Sequence, residues 1–406
     1  MKKKSHALCG AFLCIIAAVG LCGCHKKGKP SENVTPSISV EPGQTTVTPL
    51  PSQQPTEAPE LTQLVKSGKL PALDRRIPKK EDQLRDSAAY NGIYGGTLVF
   101  ATEQAMPLTG YLFSEGLVAL SAEGEVIPNL AKKIEASADR KTYTFVLREG
   151  TRWSDGTLFT ADDCVFYYNS LCLSGSTGQP VPSIFLTDTG KKASIEKIST
   201  YSFRIVFPEA VPDFFRRFAV AGGICFAPEH YYVNLLPEYM GEDAAEAKAA
   251  DMGYAGIKEM IAGVMNNPWN HAEIPSLNSF LLSKKAEECD ITAVTYAFER
   301  NPYYFKTDLD GRQLPYISRV EFTRISGPSQ GILLTTEGYL SAYALESSQI
   351  AEAERMAEHG GYHLVKWSSS LTYAIKNSLN GFPVTMPPEA AYRAIGAGHA
   401  ETWYFQ

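Results

Sequence analysis

Several short groups of residues in this 406-residue sequence have types and spacings that could do chemistry. Gly327-Pro328-Ser329-Gln330-Gly331 matches G-x-S-x-G, in which a serine at a sharp strand-to-helix turn attacks an acyl carbon; the strand-like RVEFTRI precedes it, as that geometry requires. Pro328, however, constrains the very turn that must be strained. No aspartate follows Asp310, so a glutamate such as Glu346 would have to serve as the acid beside His359, His363 or His399. A second group is TYTFVLREGTRWSDGTLFTADDCVFYYN, residues 142–169, which concentrates Asp155, Asp162, Asp163, Glu149 and Trp153. Paired carboxylates can act as acid and base when a cleft raises the pKa of one of them. His359 and His363 stand four apart, the spacing of two metal ligands on a helix face, but Gly360-Gly361 between them breaks the helix and favours a surface turn. Asp308-Leu-Asp310-Gly311 begins like a calcium loop and lacks the glutamate at its twelfth position, so a polar turn is expected. No phosphate-binding glycine loop of either common pattern occurs.

The elements that must position these residues follow from periodicity. Thr142–Leu147 alternates, with Tyr143, Phe145 and Leu147 on one face of a strand. Ser154-Asp155-Gly156 is turn chemistry, and Thr160 followed by Asp162 and Asp163 fits the capped start of an aromatic-faced helix over 161–171. Each polar group thus has a structural duty. Strands are expected at YGGTLVFAT (94–102), YSFRIVFPEA (201–210), VTYAFERNPYYF and ISRVEFTRI. SEGLVALSAEGEVIPNLAKKIEAS reads as a short helix or strand, an Ala-Glu-Gly turn and a helical turn after Pro128. A short helix and a turn at Gly68 are expected in LTQLVKSGKLPALDRRIPKK, and residues 237–266 are helical. Interleaved strands and helices make the class α/β or α+β.

Composition bounds the rest. With 44% apolar and 20% charged residues the chain is globular, and its length suggests more than one lobe. A net charge of −6 without a basic cluster in the body argues against a nucleic-acid partner. The N-terminus carries Lys2–Lys4 and then an apolar run, Ala7 to Cys24, of secretory-signal type. Residues 24–60 are rich in Pro, Ser, Thr and Gln and cannot bury enough surface to fold, so they read as a tether. Four cysteines remain beyond the signal: Cys164, Cys172, Cys225 and Cys289. None forms a C-x-x-C pair. On one helix, Cys164 and Cys172 would lie about 12 Å apart, too far for a disulfide. All four read as buried apolar residues.

Leu21-Cys22-Gly23-Cys24 resembles a bacterial lipobox, which implies lipidation at Cys24. In order along the chain, YGGTLVFAT, the stretch from EGLVALSAEGEVIPNLA through TADDCVFYYN, IPSLNSFLL and ERNPYYFKTDLDGRQLPYISRVEF resemble the family 5 solute-binding proteins of bacterial ABC importers, the dipeptide and oligopeptide type. LVKSGKLPALDRRIP resembles a leader of larger members. The resemblance implies an α/β fold of the type II periplasmic-binding class, two lobes on a hinge closing over a solute. It implies no enzyme activity, no cofactor and no metal. The expected parts are a signal peptide (1–23), the linker (24–60), a leader (61–93), a first lobe (94–339) and a partial second lobe (340–406). The family's R-A-L-x-x-A-I-D-R-like helix is not found and the likeness fades after about Asn380, so the second lobe is expected to be incomplete. The implied ligands are oligopeptides, with oligosaccharides second, and the implied partners are permease subunits, the protein itself being a monomer at the outer face of the membrane. Glu103, Gln104, Phe113, Glu115 and Trp269 are the expected cleft groups. A surface-anchored serine hydrolase using Ser329 is the alternative.

Overall fold

The computed structural model describes residues 56–86, 92–102, 114–121, 124–175, 180–266, 271–284, 296–343 and 349–360. Cys24, Cys289, Glu103, Gln104, Phe113, Trp269, His363 and His399 lie outside them.

The leader opens with helix α1 (Pro59–Lys66), started by Pro59 at its first turn and ended near Gly68 at φ +74°. It closes with strand β1 (Leu84–Asp86). Strand β2 (Thr97–Thr102) follows, then β3 (Val118–Leu120), β4 (Val126–Pro128), β5 (Ala131–Ala136) and β6 (Thr142–Leu147). Helix α2 (Ala161–Phe166) runs into a π-helical segment, Tyr167–Leu173. Strands β7 (Ser194–Ser199) and β8 (Ser202–Val206) complete a four-stranded antiparallel sheet in the order β5-β6-β8-β7. The expected helical turn after Pro128 is instead strand β5: Ala131–Ala136 pairs with Leu147–Tyr143 along β6, and that ladder outweighs the helix propensity of the Ala, Lys and Glu residues.

Helices α3 (Phe214–Val220), α4 (Glu229–Tyr232), α5 (Pro237–Met240), α6 (Glu242–Asp251) and α7 (Ile257–Asn266) come next. The chain then returns through β9 (Phe280–Lys284), β10 (Tyr296–Arg300), β11 (Lys306–Asp308) and β12 (Arg319–Arg324) to α8 (Pro328–Thr336) and α9 (Ile350–Gly360).

The main core lies between the first sheet and the helices on it. Tyr143, Phe145 and Leu147 point into it, as their alternation predicts, with Phe203, Phe207, Phe214 and Phe218. Phe145 stacks on Phe203 with ring centres 5.0 Å apart. Cys164, Cys172 and Cys225 are buried thiols without disulfides, as expected, and burial pushes the Cys164 and Cys225 thiols well above their ordinary value. A second core joins α4, α6 and α7 around Leu236, Met260, Ile261 and Val264.

The second sheet has the order β2-β12-β10-β9. Here β12 lies parallel to β2, Arg319 to Arg324 against Thr97 to Thr102, although about 200 residues separate them. The excursion between them builds the first sheet and the helices. Beyond the free edge of β2, Ala342 forms a parallel bridge with Phe100 and Ser341 binds both polar groups of the Val99 backbone.

Candidate functional site

Ligands of open α/β sheets bind beyond the carboxyl ends of parallel strands, where the chain connections diverge. In the second sheet that place is the end of β2 and β12. Thr102 closes β2, and Glu103 and Gln104 follow it directly in sequence. The strands stay tied past their ends by Ile325 N donating to Thr102 O at 3.0 Å. Beyond Ile325, Ser326 gives both its amide and its hydroxyl to Gln330 Oε1, each at 2.8 Å, which fixes the turn into α8. Arg324, Ser326, Ser329 and Gln330 are exposed here. Among the described residues this surface offers hydroxyl and amide groups and one guanidinium.

Ser329 therefore does stand on a strand-turn-helix unit. It sits one residue past Pro328 in the first turn of α8, with Gly327 at an extended φ of 164°. A nucleophile elbow strains the serine itself; among the described residues the one non-glycine at positive φ is Arg140. Among the same residues no hydrogen bond joins Ser329 to a histidine or carboxylate, and His359 is exposed in the last turn of α9. The unit has the outline of an elbow without its chemistry.

Glu115 lies in the described segment 114–121, ahead of β3. It is 2% exposed, and its carboxylate is fully engaged. Oε2 accepts from Asn129 Nδ2 at 2.7 Å and pairs with Lys306 Nζ at 2.9 Å; Oε1 accepts from the Tyr304 hydroxyl, and the Glu115 amide donates to Asn278 Oδ1 at 3.1 Å. The Lys306 ammonium also lies 5.6 Å from the Phe305 ring centre. Burial pushes the Tyr304 phenol well up, and the Glu115 carboxylate adds to this. Glu115 thus ties its own segment to Asn129, just past β4, to Asn278 and to β11. Any influence it has on a solute passes through the backbone it holds. The partner that sequence reasoning missed is Lys306, a lysine in an otherwise polar turn segment with nothing in its spacing to mark it as buried.

The stretch 142–169 resolves into strand, turn and capped helix, as read from its sequence. Asp155 Oδ1 accepts from Thr157 N at 2.9 Å while Gly156 takes φ +93°. Thr160 Oγ1 accepts from Asp162 N at 3.2 Å, and Asp163 Oδ2 accepts from Thr160 N at 2.9 Å, a reciprocal cap. Asp163 does more than cap its own helix. Its other oxygen accepts from Glu229 N at 3.1 Å, so one carboxylate joins the starts of α2 and α4. Burial pushes its carboxyl up to about 6, against the pull of those two amides and of nearby His230. The Trp153 indole N–H lies near this carboxylate without an aligned bond. Asp155 Oδ2 meets His230 Nε2 at 2.7 Å, and Asp162 turns outward to Lys197 at 2.7 Å. These are ties between elements.

Asp308 and Asp310 separate in the same way. Asp308 is buried and accepts from Arg312 N at 2.8 Å and Arg312 Nε at 2.7 Å, while Gly311 turns at φ +82°. Its oxygens are committed to the turn, as its sequence suggests. Among the described residues no group of three or more His, Cys, Asp or Glu side chains is placed to hold a metal ion.

Residues 125–273 match the model of the bacterial extracellular solute-binding proteins, family 5 middle region. The periplasmic alpha-galactoside-binding protein of Rhizobium meliloti is 28% identical over 288 residues, which cover 64% of this chain and 37% of that protein. Among solved structures, an oligopeptide-binding protein OppA superposes with a TM-score of 0.66 at 24% identity, over 75% of this chain and 48% of that one. The periplasmic binding protein MelB of Agrobacterium fabrum, solved with stachyose, superposes with a TM-score of 0.55 at 23% identity, over 76% and 46%. The chain spans less than half the length of these relatives. The first sheet and the helices of residues 125–273 thus match the middle region of the family 5 bacterial extracellular solute-binding proteins, and the chain shares its fold with solved binding proteins.

Proposed function

We propose that this chain is the extracytoplasmic solute-binding lipoprotein of an ABC importer, capturing oligopeptides, or oligosaccharides, and handing them to a membrane permease. The family 5 match over residues 125–273 carries the reading. It works by binding alone, as a monomer without a cofactor. Residues 94–339 supply the first lobe and 340–406 part of the second. Glu103, Gln104, Phe113 and Trp269 contact the solute, Glu115 supporting them from below. Neutral hydroxyl and amide groups at the end of β2 and β12 suit peptide main chain and sugar hydroxyls alike, and the named ligands of relatives include both an oligopeptide and α-galactosides. Lipid on Cys24 and the polar linker hold the body near the membrane.

Thermal unfolding with short mixed-sequence peptides in one series and raffinose-type galactosides in another tests the reading. A true ligand at a hundredfold excess over Kd adds about 2.7 kcal/mol. Absence of a shift in both series would overturn it. Ser329→Ala leaves that shift unchanged, whereas an esterase or peptidase activity lost in the same variant would install the hydrolase reading instead. Fatty-acid labelling disappears in Cys24→Ser if Cys24 is the anchor, and persistent labelling refutes it.

A further inference from the structure

The segment from Glu57 to Asp86, which joins the end of the linker to the leader, carries seven cationic and six anionic side chains, close to neutral by sequence. The fold separates them. Glu57 pairs with buried Arg76, Glu60 with Arg300, and Asp82 with Lys132, while Asp86 is buried. Four of the six acids are thereby committed to the body. Lys66, Lys69, Arg75, Lys79, Lys80 and Arg85 are all exposed; the exposed acids among them are Asp74, Glu81 and Glu60, the last paired with Arg300.

The leader is also a closed excursion. It starts at Thr56, whose carbonyl accepts from Gln313 N at 2.8 Å, and ends where Arg85 lies beside Thr307 on β11. Thr307 and Gln313 are themselves bridged, so both ends of the excursion meet on one ladder. Its inner side is Leu61, Leu70, Arg76, Ile77 and Asp82, all buried. Its solvent-exposed residues include the six cations. This outer side begins where the polar linker joins the body, and the linker itself starts with Lys26, Lys27 and Lys29 directly after Cys24.

We infer that the outer side of the leader is a docking surface for an anionic phospholipid bilayer. The inference deepens the anchored-binder reading and rests on it for the nearness of the membrane. One lipid anchor holds a protein stably when a polybasic patch adds a second attachment. Basic residues near a membrane attract anionic headgroups only within about a Debye length, roughly 8 Å at physiological salt. The acids elsewhere on a chain of net charge −6 are then screened, and the patch sets which side faces the lipid.

The test is flotation of the full chain carrying Cys24→Ser with phosphatidylcholine vesicles and with vesicles that also contain phosphatidylglycerol. The neutral vesicles supply the baseline for the apolar N-terminal run. The ratio of anionic to neutral binding should be roughly tenfold or more and should collapse in high salt. It should fall to near one in Lys66→Glu/Lys69→Glu/Lys79→Glu/Lys80→Glu, with the thermal midpoint unchanged, and to an intermediate value when the same four lysines become glutamine. A parent ratio near one, or a ratio retained in the glutamate variant, overturns the inference. Retention on an immobilised acidic protein together with a vesicle ratio near one also overturns it, in favour of a protein partner. Labelling of Cys24 reads the anchor separately, so failure of one does not imitate failure of the other.

Discussion

Replacing Asp163 tests whether the polar residues of 142–169 hold the fold together. In Asp163→Ala two amides lose their acceptor: Thr160 N at 2.9 Å, which starts α2, and Glu229 N at 3.1 Å, which starts α4. Each stranded donor costs about 1–3 kcal/mol, and loss of a helix cap alone about 1. Opposing this, burial that moves the carboxyl from its ordinary 3.8 to about 6 makes its ionised form about 3 kcal/mol less favourable inside the protein. That penalty vanishes with the side chain. Two stranded donors at about 2 kcal/mol each, less that penalty, leave a net loss at neutral pH of about 1 kcal/mol, on the order of 3 °C in Tm. The sign of the pH dependence is distinctive. Between 3.8 and about 6 the folded chain binds a proton that the unfolded chain releases, so Asp163 adds stability as pH falls through 6 and takes it away as pH rises. Asp163→Asn keeps one acceptor and does not titrate. Urea unfolding of the three proteins at closely spaced pH values between 4 and 7 should show the wild type gaining on Asp163→Asn as pH falls. Equal slopes for wild type and Asp163→Asn, or an Asp163→Ala within about 0.5 kcal/mol of wild type at pH 7, would refute the argument.

Two further substitutions probe the frame beneath the site. Glu115→Ala deprives the buried Lys306 ammonium of a carboxylate at 2.9 Å and should cost about 3–5 kcal/mol in urea unfolding; a loss under 1 kcal/mol would contradict the pairing. Gly116→Ala would put its Cβ 2.3 Å from the Gly222 carbonyl oxygen and 2.9 Å from that of Val118, both backbone, so about 1–3 kcal/mol should be lost. An unchanged Tm would mean that this close approach is absent in solution. Half-exposed Asp162, by contrast, pairs with Lys197 at the surface, and Asp162→Ala should fall within about 1 kcal/mol of wild type.

Local pattern determined much of this protein. The alternation of Tyr143, Phe145 and Leu147 placed β6, because a two-residue period admits one buried face. Ser154-Asp155-Gly156 and Thr160-Ala-Asp-Asp163 carried their turn and their cap, because those bonds close within four residues. The ordered motifs built on them carried the resemblance to the family. Tertiary structure decided what depends on distant partners. Ala131–Ala136 became a strand because β6 lay beside it. Of the adjacent pair Asp162 and Asp163, only the second reaches Glu229, sixty-six residues on, and nothing in their local sequence ranks them. Glu115 was singled out as a cleft group, yet its burial against Lys306 depends on a segment nearly two hundred residues away. The leader's acids and bases nearly cancel in sequence, and only the closed fold pairs Glu57 with Arg76, Glu60 with Arg300 and Asp82 with Lys132 while six cations face water. Short-range hydrogen bonding and periodicity are written in neighbouring residues; burial and charge segregation belong to contacts that exist only once the chain has closed on itself.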